Sequence, residues 1–396
     1  MNVARRSASV APAKLTSLAR RTTQSVEPLF DQSGVTELNQ HFRVAGISFE
    51  HMHMGDNLRM AAAHPDCEVV GLCDVDRSRM LAAQSDLGLS EKCLYADWQH
   101  CIEESRPDLL VVCPATGDHA VWVERLAPFG LPLLIEKPMA ASLADADRML
   151  AACAQHDVVL AINWPIVWVA SHRTAKRLVD EGCIGRLIEV HHYGGNRGPL
   201  WHTAGKREIS AAEVEQQKPT SWFYQRDKGG GSMLDYLGYG ATLGTWFLGG
   251  AKPIEVTAVT AGAAGLEVDE HSVTVARYDF GLSKFETRWG TYSDPWTHQP
   301  QPQCGFVLVG TAGTLSSFDY ANTVRLQDAS HPAGRDIPVD TLAAPTQNPI
   351  QYLVDCVQSG QPVEGPLSPE ISRIGQQIVD TAYHSAEQKR TLPLMD

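Results

Sequence analysis

The chain has 396 residues, 43% of them hydrophobic and 20% charged. That is length for two or three domains and apolar content enough for each to bury a core. A formal net charge of −13 argues against nucleic acid or an anionic membrane as partner, and no apolar run is long enough to span a bilayer.

Residues 1–41 read as a disordered or arm-like segment. The first 26 carry Arg5, Arg6, Lys14, Arg20 and Arg21 with no acid before Glu27. That composition is transit-peptide-like, or that of a twin-arginine start lacking its apolar core. A disordered tail or an over-called start is the plainer reading, and an arm around a neighbouring subunit is a third.

From Phe42 the texture changes. FRVAGISF (42–49), CEVVGLCD (67–74), DLLVVCP (108–114), LPLLIEKP (131–138) and VVLAIN (158–163) read as strands. Each is apolar at nearly every position instead of alternating, the mark of strands buried on both faces of a parallel sheet. Amphipathic stretches near 54–63, 77–87, 119–128 and 142–155 separate them, the last with Ser142 and Asp145 as a capping-box-like start. The pattern predicts a doubly wound α/β domain over 42–163.

Beyond residue 164 a helix over 171–182 closes on Gly182. RLIEVHHY (186–193), IEVTAVTA (254–261), HSVTVARYDF (271–280), KFETRWGTY (284–292) and CGFVLVG (304–310) follow as strands, several of them alternating apolar and polar residues. Closing helices are predicted over 347–359 and 368–388. Residues 164–396 thus read as an α+β domain with a largely antiparallel sheet. Nine cysteines, at 67, 73, 93, 101, 113, 153, 183, 304 and 356, include no C-x-x-C pair. They point to a reducing, cytoplasmic setting without structural zinc.

Ligands of a doubly wound sheet bind beyond the carboxyl ends of its strands. The second predicted strand ends in Asp74, placed to accept from an adenosine ribose and to disfavour a 2′-phosphate; a solvated turn aspartate is the plain alternative. The first turn should cradle a pyrophosphate, yet it reads S-F-E-H-M-H-M-G over 48–55. Ser48, Phe49, His51 and Gly55 are its candidate cofactor contacts, and Glu50 would repel a phosphate if it pointed inward. His51 and His53 could donate to phosphate or begin a metal site, but two ligands do not close one, so no metal is expected. The strand ending in Glu136-Lys137-Pro138 projects Lys137 over the crevice, where an ammonium can stabilise a developing alkoxide. In GGGSMLDYLGYG (229–240), Asp235 and Tyr239 are four apart and share a helix face. A nearby ammonium would lower the phenol's pKa and make it a usable base.

Taken in order, these pieces resemble the glucose-fructose oxidoreductase and inositol dehydrogenase (Gfo/Idh/MocA) family. The resemblance runs from about Phe42 to the C-terminus. It rests on RVAGI at the first strand, CDVD ending in Asp76, Thr116 and His119 as T-x-x-H, EKP at 136–138, Asn163, DEGCIGRL (180–187), GGG before Asp235 and Tyr239, and SPEISRIGQQIVDTAYHSAEQKR (368–390). It implies an N-terminal Rossmann domain and a C-terminal domain with a large open, mostly antiparallel sheet that commonly forms the subunit interface, hence a homodimer or homotetramer. It implies NAD as cofactor, with NADP left open, held in part by Thr116, His119, Glu136, Lys137 and Asn163. Lys137 carries over as the lysine touching the reacting hydroxyl and Asp235 as the aspartate near it. Tyr239 stands where many members have histidine. Two departures are the missing glycine-rich turn and Trp164-Pro165 in place of an aromatic-arginine pair.

Aromatic rings beside hydrogen-bonding groups suit a polyhydroxylated ring. Tyr193, Asn196, Arg197, Trp201, His202 and Trp222 are therefore the candidate substrate contacts. The function these features imply is NAD(P)-dependent oxidation of a secondary hydroxyl of a sugar, cyclitol or glycoside, or the reverse reduction. The alternatives are a lyase or glycosidase-like enzyme using transient oxidation with retained NAD, and a ligand-sensing protein on the same scaffold.

Overall fold

The computed structural model describes residues 41–202 and 209–396. The reading of residues 1–40 as tail, leader or arm lies outside them. In chain order the first half runs β1 (Phe42–Phe49), α1 (His53–Ala63), β2 (Cys67–Cys73), α2 (Leu81–Leu87), β3 (Leu94–Tyr95), α3 (Trp98–Ser105), β4 (Leu109–Cys113), α4 (His119–Leu126), β5 (Leu133–Glu136), α5 (Leu143–His156) and β6 (Leu160–Asn163). All strand pairs are parallel, in the order β3-β2-β1-β4-β5-β6. Every residue of β4 and β5 is buried, which is why these strands do not alternate. The strand order reverses between β1 and β4, so the carboxyl ends of those two strands open a crevice.

The second half runs α6 (Ala170–Asp180), β7 (Leu187–Asn196), α7 (Ala211–Gln217), α8 (Gly238–Phe247), β8 (Glu255–Ala261), β9 (His271–Tyr278), β10 (Gly281–Trp289), β11 (Gly305–Gly310), β12 (Gly313–Phe318), β13 (Thr323–Asp328), β14 (Arg335–Pro338), α9 (Pro349–Ser359), α10 (Pro369–Gln388) and β15 (Leu392–Pro393). Its nine strands form one sheet, ordered β14-β13-β12-β11-β7-β10-β9-β8-β15. It is antiparallel except where β7 and β10 pair in parallel at its centre. Buried residues alternate along β9 and β10, so one face packs inward and the other points away.

The change of texture at residue 164 marks a change of topology but not a break in packing. α10 returns to the first sheet: Asp380 accepts from the Leu143 amide at 2.9 Å, Ser372 accepts from the Trp164 indole at 3.0 Å, and Arg373 reaches Asp147 at 2.6 and 3.0 Å. The described residues of both halves accordingly form a single unit sharing a main core, with a smaller apolar cluster around Phe223 and Trp289.

α8 packs on Trp164 and on the second sheet through glycines. A Cβ on Gly238 would lie 2.5 Å from the Trp164 ring, and one on Gly240 would lie 2.6 Å from His192 Nδ1 and 2.9 Å from Phe285. Overpacking of this kind costs about 1–3 kcal/mol. Gly240→Ala is therefore expected to lower the unfolding free energy by about that amount, read from denaturant midpoints at unchanged m-value.

Candidate active site

A cavity of about 670 Å³ lies between the two halves. Its floor is the β1–α1 turn and the ends of β5 and β6, contributing His51, His53, Asn57, Lys137 and Asn163. Its far wall is the second sheet and the segment leading into α8, contributing His192, Asn196, Asp235 and Tyr239.

Lys137 follows directly on β5, and the geometry there brings it to a residue 98 positions away. Its Nζ stands 2.5 Å from Asp235 Oδ1, and the second carboxylate oxygen accepts from the Trp289 indole at 3.0 Å. The side chains are only 4% and 9% exposed, so each charge is desolvated and depends on the other. Asp235 sits in a single π-helical turn, Met233–Leu237, ahead of α8. Such turns recur at functional sites. Trp289, at the end of β10, was not legible as a site residue.

Tyr239 joins the same wall, its ring centroid 5.4 Å from Lys137 Nζ. The expectation of a lowered phenol pKa is corrected here. Burial, followed by the negative charges of Glu136 and Asp235, raises it well above its ordinary value. The ammonium that should have lowered it is committed to Asp235. Burial thus favours the neutral phenol at Tyr239.

The expected cofactor residues divide into two groups. His51, Lys137 and Asn163 line the cavity. Ser48, Phe49, Asp74, Thr116, His119 and Glu136 do not line it and sit at or just beyond the carboxyl ends of β1, β2, β4 and β5. Ser48 adopts a left-handed conformation with φ 62° at an irregularity in the β1–β4 pairing, the kind of backbone a glycine takes without strain. Asp74 accepts from the Phe49 amide at 2.7 Å and the Asp76 amide at 2.8 Å, which ties β2 to the first turn. Glu50 does not face a vacant cradle: its carboxylate accepts from the Ala115 amide at 3.1 Å, and Arg79 stands 3.5 Å away. Gly55 lies inside α1, where among protein atoms a Cβ would meet only Arg59, at an ordinary 3.5 Å. His119 and Thr116 are buried, and the segment 222–229 packs against Thr116 and Gly117. There the Trp222 indole donates to the Glu50 carbonyl at 3.3 Å, Lys228 pairs with Asp118 at 3.1 Å, and Asp227 crosses directly over Gly117. Two polar atoms in this set are buried without a hydrogen-bond partner, His119 Nε2 and Asn163 Oδ1.

Of the expected substrate contacts, Asn196, Arg197 and Trp201 line the cavity. Arg197 is fixed by Asp294 at 2.9 Å and lies 4.7 Å over the Trp201 ring. Tyr193 does not line it. The strand period is two, and His192, Gly194 and Asn196 of β7 take the cavity face, which turns Tyr193 to the other. Trp222 does not line it either, because it stacks on Phe223 at 3.8 Å and caps the first turn. His202's side chain lies outside what the structure describes. His192, Tyr236, Asp294 and Asp319 line the cavity and were missed. Counting alternate residues back from Asn196 would have found His192; the others sit where no local pattern marks them.

Comparison with known proteins gives two family matches. Residues 42–164 match the model described as an oxidoreductase family with an NAD-binding Rossmann fold, and residues 172–316 match the GFO/IDH/MocA C-terminal domain. Among characterised relatives, D-apiose dehydrogenase of Paraburkholderia graminis is 23% identical over 336 residues, covering 83% of each chain. Among solved structures, aldose-aldose oxidoreductase of Caulobacter crescentus, complexed with glycerol, superposes with a TM-score of 0.71 at 18% identity, covering 89% of this chain and 99% of that one. An oxidoreductase of Agrobacterium radiobacter in complex with NAD+, L-tartaric acid and magnesium gives 0.70 at 18% identity, covering 89% and 98%.

Breaking a buried ion pair from one side leaves a desolvated charge and costs about 3–5 kcal/mol, whereas replacing both partners by apolar groups is far milder. Lys137→Ala is thus expected to destabilise by about that amount, and the double substitution Lys137→Met with Asp235→Leu to recover most of it. Chemical denaturation of the three proteins measures both.

Proposed function

Because this chain belongs to the GFO/IDH/MocA oxidoreductase family, we propose that it oxidises a secondary hydroxyl of a sugar or cyclitol in this cavity, or reduces the corresponding ketone. The observation that carries this reading is the Lys137–Asp235 pair on the wall of a cavity that also presents Asn196, Arg197 and Trp201. Ring faces and fixed donors of that kind suit a polyhydroxylated ligand.

The residues fit a dinucleotide at its ring end. Asn163 Oδ1 and His119 Nε2 are buried polar atoms awaiting partners, and Lys137 and Asn163 border open cavity. Lys137, Asn163, His119 and Thr116 would hold it there, and bound NAD would supply the hydride acceptor. Asp74, as a carboxylate with backbone partners, favours NAD over NADP. The protein's own part is the proton. Lys137 Nζ donates to the reacting oxygen and stabilises the developing alkoxide. As Nζ takes the hydroxyl proton it passes one of its own to Asp235 Oδ1, so the pair goes from neutral to singly positive. Tyr239 donates to the same polar end of the ligand.

Segment 222–229 lies over the crevice and favours a second reading, in which a retained dinucleotide oxidises the ligand transiently and is restored within one turnover. Two coarser features complete the proposal. Nine unpaired cysteines fit a reducing cytoplasm, and no helix among the described residues is long and apolar enough to cross a membrane. The outward face of the second sheet exposes Val259, Val275 and Leu282, a surface suited to pairing with a second copy.

The purified protein, given NAD+ and a panel of sugars and cyclitols, is expected to accumulate NADH with at least one. Asp235→Asn should slow turnover by about 10²–10⁴-fold. Dinucleotide released on denaturation without net NADH would select the retained-cofactor reading, while neither turnover nor bound dinucleotide would overturn both. Tyr239→Phe should lower the rate but leave the shape of the pH–rate profile unchanged below about pH 10. A lost basic limb would restore Tyr239 as the base.

A further inference from the structure

The sequence offered an H-x-H pair in place of the glycine turn and no third ligand. The fold supplies one from β5. A nitrogen of His51, a nitrogen of His53 and an oxygen of Glu136 lie within 4.8 Å of one another, and among the described residues no other group of three His, Cys, Asp or Glu side chains does so. His53 Nδ1 stands 2.7 Å from Glu136 Oε1, and the two imidazole centroids are 4.5 Å apart.

The trio is also supported from behind. Asn163 Nδ2 lies 3.2 Å from Glu136 Oε2, and the same amide is anchored by Asn57 Oδ1 at 3.2 Å. His51 is wedged against Phe223, with ring centroids 5.8 Å apart. Outer partners that fix ligand orientation in this way are a usual part of a metal site. Glu136 is fully buried and His53 is 22% exposed in its side chain. The trio therefore has a closed side and an open one, and the open side is the cavity that His51 and His53 line.

We propose that His51, His53 and Glu136 bind one divalent transition-metal ion, zinc or a first-row neighbour, whose open positions face the cavity. Two imidazoles and a carboxylate are the donor set of three-ligand zinc sites that keep a position for water or substrate, and nitrogen-rich sets select this part of the series over magnesium or calcium. Donors at about 2.0–2.2 Å from such an ion lie well inside the 4.8 Å that bounds these three, and rotations of the two imidazoles complete the site. The ion takes the place of the hydrogen bond between His53 Nδ1 and Glu136 Oε1. Its open positions would bind a hydroxyl or carbonyl oxygen of the ligand held by Lys137, a role that rests on the sugar-like reading above. The ion site itself does not depend on that reading.

The test uses the full chain, treated with chelator and titrated with Co2+ in the absence of sugar and dinucleotide. Visible absorption is expected to saturate near one equivalent per chain and to be displaced by Zn2+. His53→Gln and Glu136→Gln, with thermal unfolding checked in each, should bind Co2+ at least about tenfold more weakly, the low end of what loss of even an orienting partner costs. If either variant fails to fold, protection of His51 and His53 in the wild-type protein from diethylpyrocarbonate by Zn2+, read by mass spectrometry, replaces it. Absence of stoichiometric binding at sub-millimolar Co2+, binding unchanged in folded variants, or histidines modified equally with and without Zn2+ would overturn the proposal. These results are read by binding alone, so failed dehydrogenase assays leave them intact.

Discussion

A buried ammonium and a buried carboxylate, contributed by opposite halves of the chain, set the terms for the rest of this molecule. Neither Lys137 nor Asp235 could be left dehydrated alone, because a solitary charge in a low-dielectric interior costs several kcal/mol. Pairing them at 2.5 Å therefore ties the carboxyl edge of the first sheet to the segment entering α8. The Trp289 indole then satisfies the remaining oxygen. A site that needs both halves in place is a site in which fold and chemistry cannot be separated.

That constraint explains the surrounding choices. α8 approaches the second sheet through glycines because a side chain there would displace His192 or Phe285, and displacing α8 would move Asp235 with it. α10 crosses back onto the first half through Asp380, Ser372 and Arg373. The return fastens the two halves at a second place and limits their relative motion around the pair. The same burial that strengthens the ion pair suppresses ionisation of Tyr239. One environment thus holds a charged pair and a neutral phenol side by side.

The architecture was legible because its signals are local or ordered. Apolar runs without alternation gave the five long strands of the parallel sheet, whereas β3, two residues long, has no pattern to display. Strands β12 to β14 went unread for a different reason: they are partly exposed, with a polar, turn-rich texture that resembles loop. Lys137, Asp235 and Asn163 were legible from position at strand ends and from motif order. Trp289 and Glu136's second association, with His53, were not, since each depends on which residues the topology brings together across more than fifty positions of chain. Tyr193 shows a different limit. Its chemistry was right for a sugar contact, but strand parity gave the cavity to its neighbours. The phosphate turn shows a third limit: the sequence left open where Glu50 points, and its carboxylate accepts from the Ala115 amide beside Arg79.

The most direct measurement is a crystal structure of the protein soaked with a polyol that it turns over or binds. The account predicts a ligand hydroxyl within about 3 Å of Lys137 Nζ, with Asp235 still paired to the ammonium and the ring against Trp201 and Arg197. A polyol bound elsewhere, or a cavity in which Lys137 and Asp235 have parted and face solvent separately, would contradict it.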